Sequence, residues 1–162
     1  MAIETYVPLS AATGFRKRPI DSHGKLRTLY SKFVVAVQGD IGSVFRFGPL
    51  PPGAVRLILP MCYVKNSAGG AGLLLDFGWL AYRYKQDAAA LNDGIEAADP
   101  DGLANDLSVV AASRVQLDAS LTVGVLKFDF YSLAGVELTA TAVGAVVPVN
   151  FTLETLFTYV YE

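Results

Sequence analysis

FRFGPLPPGAVRLILP occupies residues 45–60. It reads as a strand, a stiff corner and a second strand. Phe45 and Phe47 alternate with Arg46, then Pro49, Pro51, Pro52 and Gly53 interrupt the run before Val55 and Leu57 restart it. Prolines fix φ and glycine admits a tight bend, so this segment turns sharply. It is either a hairpin or a rigid corner of a larger β-architecture.

Working outward, 26–37 is strand-like, with Tyr30, Phe33, Val34, Val35 and Val37 supplying aromatic and β-branched residues. Residues 38–42 read as a turn. Strands are expected at 44–47 and 55–64, then a Gly/Ala loop at 66–72, then a strand over 73–84 kinked near Gly78. Residues 87–107 are polar, alanine-rich and acidic. Asp99 before Pro100 fits a helix N-cap, and Leu103 and Leu107 would share a helical face, so a short helical excursion is expected there. Strands return at 114–117, 121–131, 136–143 and 149–161. In the last, Phe151, Leu153, Thr155, Phe157, Tyr159 and Tyr161 point one way, and Thr152, Glu154, Leu156, Thr158 and Val160 the other. About eight strands with Gly/Pro turns make an all-β protein, an antiparallel β-sandwich of the eight-stranded jelly-roll kind.

The 162 residues suit one domain with an arm. Residues 1–24 read as an extended arm and 25–162 as the sandwich. The first 32 residues carry six basic and two acidic groups, a net +4, while the remainder is net −6. A basic arm on an acidic body implies docking on an acidic neighbour. Apolar residues make up 52% of the chain and charged ones 17%, against about 25% charged in an average domain. Strands apolar on both faces, such as 33–37 and 55–59, would leave an apolar outward face in a two-layer sandwich. Neighbouring chains are the expected cover.

The residues for chemistry are sparse. A single histidine, His23, gives neither a triad nor a cluster of imidazole ligands. Cys62, the one cysteine, reads as a small buried apolar residue. The acids Asp87, Asp93, Glu96, Asp99, Asp101 and Asp106 lack the spacing of a calcium loop, and nothing places Asp118 and Asp129 across a cleft. Residues 67–72, SAGGAG, lack the Lys-Ser/Thr ending of a phosphate loop. No catalytic residue, cofactor or metal is therefore expected, and the chain does not read as an enzyme. The cluster at 15–18, FRKR, is too short beside an acidic body to imply nucleic-acid binding. The N-terminus lacks the pattern of a secretory signal, and no apolar run is long enough for a membrane helix, so a soluble protein made in the cytoplasm is expected.

The order GDIGSVFRFGPLPPGAVRLILPMCYV (39–64), a Gly/Ala loop, LLLDFGWLAY (73–82), then DGI (93–95) and DPDGL (99–103) resembles small virion proteins of tailed bacteriophages, the capsid decoration or cement proteins. LPPGAVRL (50–57) is its most specific element. The resemblance spans residues 26–161 and leaves the arm aside. It implies a sandwich that assembles as a trimer or other homo-oligomer on the capsid exterior, with the major capsid protein as partner. Phe15, Arg16, Lys17 and Arg18 are the arm's candidate docking residues. Trp79, Tyr82 and Tyr84 are candidate interface anchors or core. Another virion role, in a head-tail connector or tail, and a carbohydrate-binding sandwich are the competing readings.

Overall fold

The computed structural model describes residues 3, 5–6, 26–85, 93–117 and 129–161. Two sheets pack face to face. The first has the order β1 (Thr5–Tyr6), β3 (Val44–Leu50), β12 (Val136–Val143), β6 (Leu74–Trp79), β9 (Asp99–Ser108). The second runs β10 (Ser113–Gln116), β5 (Tyr63–Asn66), β13 (Thr152–Tyr161), β4 (Gly53–Leu57), β11 (Asp129–Ser132), with β2 (Leu26–Val34) along the other side of β13. A separate ribbon pairs β7 (Tyr82–Lys85) with β8 (Asp93–Glu96). All these pairings are antiparallel except β1 with β3. The chain alternates between layers in the jelly-roll manner: β3 in the first, β4 and β5 in the second, β6 back in the first.

The proline corner is what moves the chain between layers. β3 ends at Leu50 in one sheet and β4 begins at Gly53 in the other, so the segment is not a hairpin. Gly53 has φ +103, and a Cβ there would come within 2.7 Å of the Tyr161 hydroxyl. Glycine is the residue that meets both demands.

β13 is the spine of the second sheet. It pairs with β2 over nine residues on one side, and with β5 then β4 on the other. Its alternation follows the sequence over most of its length, with Leu153, Thr155, Phe157 and Tyr159 buried and Glu154 and Leu156 outward; Thr158, of the second set, is buried as well. Opposite, Phe45, Phe47 and Phe77 of the first sheet face Phe33, Phe151 and Phe157. Phe47 sits at the centre, with ring centroids 5.5 Å from Phe33, 5.8 Å from Phe77 and 5.2 Å from Phe157. Edge-to-face and offset aromatic pairs at these separations add to burial.

Two expectations need correction. Of the expected helical excursion, residues 87–92 lie outside the described residues, 93–96 and 99–108 form strands, and no α-helix occurs among the described residues. Asp99 and Pro100 open β9 instead of capping a helix, with the Asp99 carbonyl laid over Gly78 so closely that a Cβ there would be 1.8 Å away. The register between β6 and β9 slips twice: Leu75 pairs with Leu107, Phe77 with Ala104, and Trp79 with Asp99. The extra residues bulge, and Asp106 takes a φ of +53. These bulges turn Leu103, Ala104 and Leu107 inward together, which mimics helical spacing in a strand. The strand count also rises from about eight to thirteen among the described residues. One reason is that the expected strand at 55–64 divides around a 3-10 turn, Leu59–Met61, with Pro60 in it. Likewise 73–84 divides into β6 and β7, which lie in different sheets.

Cys62 is fully buried, as expected. Burial pushes its thiol up to about 11, against the Thr158 N–H donated to Sγ at 3.3 Å. A thiol so held is not a nucleophile at neutral pH.

Candidate binding face

The outward side of the second sheet brings together residues far apart in sequence. The alternation of β13 sends Leu156 and Glu154 outward, and strand register then fixes their neighbours. Leu156 pairs with Tyr63 on one side and Tyr30 on the other, making an apolar row across three strands. Glu154 pairs with Lys65 and Lys32, and Lys65 with Arg114, making a charged row beside it. Tyr30 is 52% exposed. The Arg114 guanidinium lies 4.6 Å from the centre of the Tyr63 ring, a cation–π contact. Between the rows is an open hollow of about 260 Å³ lined by Tyr30, Tyr63, Leu156, Lys65, Arg114 and Glu154.

The charges of this face do not cancel. Glu154 is shared by Lys32 at 3.1 Å and Lys65 at 3.6 Å. The Lys32 hydrogen bond draws the Glu154 carboxyl below its usual range. One carboxylate thus serves two lysines, and Arg114 adds a third cation, so the row is net positive. Further along β2, Leu26 and Val34 are exposed on the same side as Tyr30.

The first sheet presents the opposite sign at its β6–β9 side. Asp106 donates its N–H to Asp76 Oδ1 at 2.7 Å. Burial raises the Asp76 carboxyl, and the charges of Asp106 and Asp101 push it further. Asp99 is raised too, by burial first and then by a hydrogen bond with Asp101 and the charges of Asp101 and Glu96. Among the described residues no cation pairs with Asp76, Asp99, Asp101 or Asp106. No group of three or more metal-ligating side chains among the described residues is arranged to hold an ion.

The residues singled out from the sequence are placed elsewhere. Trp79 is buried, its ring edge-on to Phe130 at 5.3 Å and its indole N–H donated to the Ala97 carbonyl at 3.2 Å. Tyr82 is buried against the same Phe130 ring. Both belong to the core of the protomer, and Tyr84 packs half-buried against that core. Phe15, Arg16, Lys17, Arg18, His23, Asp87 and Asp118 lie outside the described residues. Asp129 is held by Arg56, Nε to Oδ1 at 2.6 Å. Sequence reasoning missed Tyr30, Tyr63, Lys65 and Arg114. The outward phase of β13 marks Leu156 and Glu154, but their neighbours follow only from strand pairing.

With this geometry in place, the fold can be set beside known proteins. No protein-family model matches the chain, and no curated protein matches its sequence. A chain of the capsid of Ralstonia phage GP4 shares the fold, with a TM-score of 0.67 over 98% of both chains at 17% identity. Chains of infectious bursal disease virus align more loosely, with TM-scores of 0.40 for the Gx strain and 0.42 for the VP2 subviral particle. They are 11% and 10% identical, and the alignments cover 33% and 37% of those chains. The all-β sandwich is thus shared end to end with a phage capsid chain. Among the described residues no helix is long and apolar enough to cross a membrane.

Proposed function

We propose that the chain is a structural protein of a phage virion, of the decoration or cement type. It binds the head exterior where major capsid subunits meet and stabilises the shell. The observation that carries this reading is the end-to-end match, 98% of both chains, to a chain of a phage capsid. Supporting it are the exposed apolar and basic side chains on one sheet face. A homo-oligomer, a trimer by the family resemblance, would bind multivalently, since weak contacts linked in one body add through effective concentration. The basic arm at Phe15, Arg16, Lys17 and Arg18 would extend the contact over the capsid surface.

The experiment is addition of purified full-length protein to phage heads that lack it, followed by sedimentation and cryo-EM. Saturable binding at a fixed number of copies per capsomer, with raised thermal stability of the head, is expected. Heads that stay bare at saturating protein, or binding confined to the tail, would overturn the reading.

A further inference from the structure

The outward face of the second sheet has the make-up of a contact surface, and the same chain carries a surface of complementary charge. Tyr63, Leu156 and Tyr30 form an apolar row on adjacent strands, flanked by three cations and one carboxylate. Apolar side chains beside a charge surplus favour a partner that is partly apolar and acidic. The β6–β9 margin carries Asp76, Asp101 and Asp106, with the Asp106 N–H donated to Asp76 Oδ1 at 2.7 Å, and among the described residues none of the three forms an ion pair. Beside them on β9 is the exposed Pro100. The two surfaces lie on different sheets, so one protomer cannot close them on itself.

We infer that the Tyr30–Tyr63–Arg114 face of one copy docks on the Asp76–Asp101–Asp106 margin of a second copy, head to tail. Such a contact is heterologous: every copy added offers a free face and a free margin, so assembly passes beyond the dimer, into a ring where the rotation closes. Docking relieves two defects together. It covers exposed tyrosine and leucine, and it brings cations to carboxylates that have none among the described residues. The contact needs no capsid, so it stands or falls separately from the virion role.

The test uses full-length protein in multi-angle light scattering and sedimentation. Wild type is expected to form species larger than a dimer. Raising salt from about 0.1 M to about 1 M shortens the screening length from about 10 Å to about 3 Å and should dissociate them. A face variant, Arg114→Glu with Lys65→Gln, and a margin variant, Asp101→Lys with Asp106→Asn, should each weaken association by about tenfold or more. Asn is chosen at position 106 because it tolerates the left-handed backbone there. Mixed in equal amounts, the two variants should give a 1:1 heterodimer, since one intact face meets one intact margin. Wild type that stays monomeric, stops at a two-fold dimer or ignores salt would overturn the inference, with no variant needed. So would variants that melt like wild type and assemble like it. A salt-insensitive monomer that binds polygalacturonate through Arg114 would assign the face to an acidic glycan instead.

Discussion

The outward side of the second sheet sets tyrosines beside a surplus of cations, whereas the β6–β9 side of the first sets carboxylates beside one another. Behind these unlike exteriors the inner faces are alike, each lined by phenylalanines that meet in one core. The contrast separates two jobs. Stability lives in the shared aromatic interior, and whatever distinguishes one side of the molecule from the other lies in side chains that contribute little to folding. Substitutions inside should therefore unfold the protein with little regard to which sheet they come from, while substitutions outside should change partners and leave the fold intact.

The largest effect is expected where the two sheets meet. Phe47→Ala removes a ring touching Phe33 and Phe157 of one sheet and Phe77 of the other. It should cost about 3–5 kcal/mol in urea melts. As the outward counterpart, Tyr30→Ser should stay within about 0.5 kcal/mol. Comparable losses at both positions would break the division between interior and exterior. Gly78→Ala comes next. Its Cβ would strike the Asp99 carbonyl and Pro100 backbone, which cannot swing aside as a side chain can. Overpacking of this sort costs about 1–3 kcal/mol. It should also raise amide exchange along β9 before β13 is affected, because β9 is an edge strand and β13 is paired on both sides.

These two strands also show what the sequence can and cannot display. β13 keeps a period of two in its pairing, so its inward set is legible from the sequence, although Thr158 of the other set is buried too. β9 has bulges, and a bulge adds residues that no partner matches. Leu103 and Leu107 then fall inside at a spacing of four, which is helical spacing, and the Asp99–Pro100 pair completes the false signal. Local pattern carries no record of the partner strand that forces the bulge. The same limit hid the candidate face. Tyr30, Tyr63 and Arg114 become neighbours only through the pairings of β2, β5, β10 and β13, while Trp79, conspicuous in sequence, is a core residue.

On β13, two buried threonines three residues apart, and so on opposite faces of the strand, sharpen the account of buried polar groups. Thr158 donates its hydroxyl to the Met61 carbonyl at 2.9 Å, whereas the buried Thr155 hydroxyl has no partner among the described residues. Thr158→Val should destabilise by about 1 kcal/mol, because it strands a carbonyl beside the 3-10 turn. Thr155→Val, nearly equal in shape, should be neutral or slightly stabilising, since it removes a desolvated hydroxyl that gains nothing in return. A matching loss at Thr155 would mean that its hydroxyl has a water partner.

The smallest expected effects distinguish the exteriors most sharply, because they have opposite signs in pH. On the second sheet, the Lys32 hydrogen bond lowers Glu154 below its ordinary value of 4.5. Its stabilisation is therefore present above that value and is lost as pH falls through the lower folded value. On the first sheet, burial raises Asp76 above its ordinary 3.8, against the Asp106 N–H and with the Asp106 and Asp101 charges. The folded state then holds that proton more tightly than the unfolded chain, so the benefit is present below 3.8 and is lost as pH rises through the raised value. Glu154→Gln should lower stability at pH 7 by less than about 1 kcal/mol, the range of exposed pairs, and the deficit should close on acidification. Asp76→Asn keeps an oxygen to accept the Asp106 N–H and removes the repelling charge. It should equal or exceed wild type at pH 7 and lose that advantage as pH falls. Urea melts of both variants across pH 3–7 measure the two signs directly. If both differences ran the same way with pH, the carboxylates of the β6–β9 margin would have a compensating cation, and the head-to-tail contact would lose its electrostatic reason.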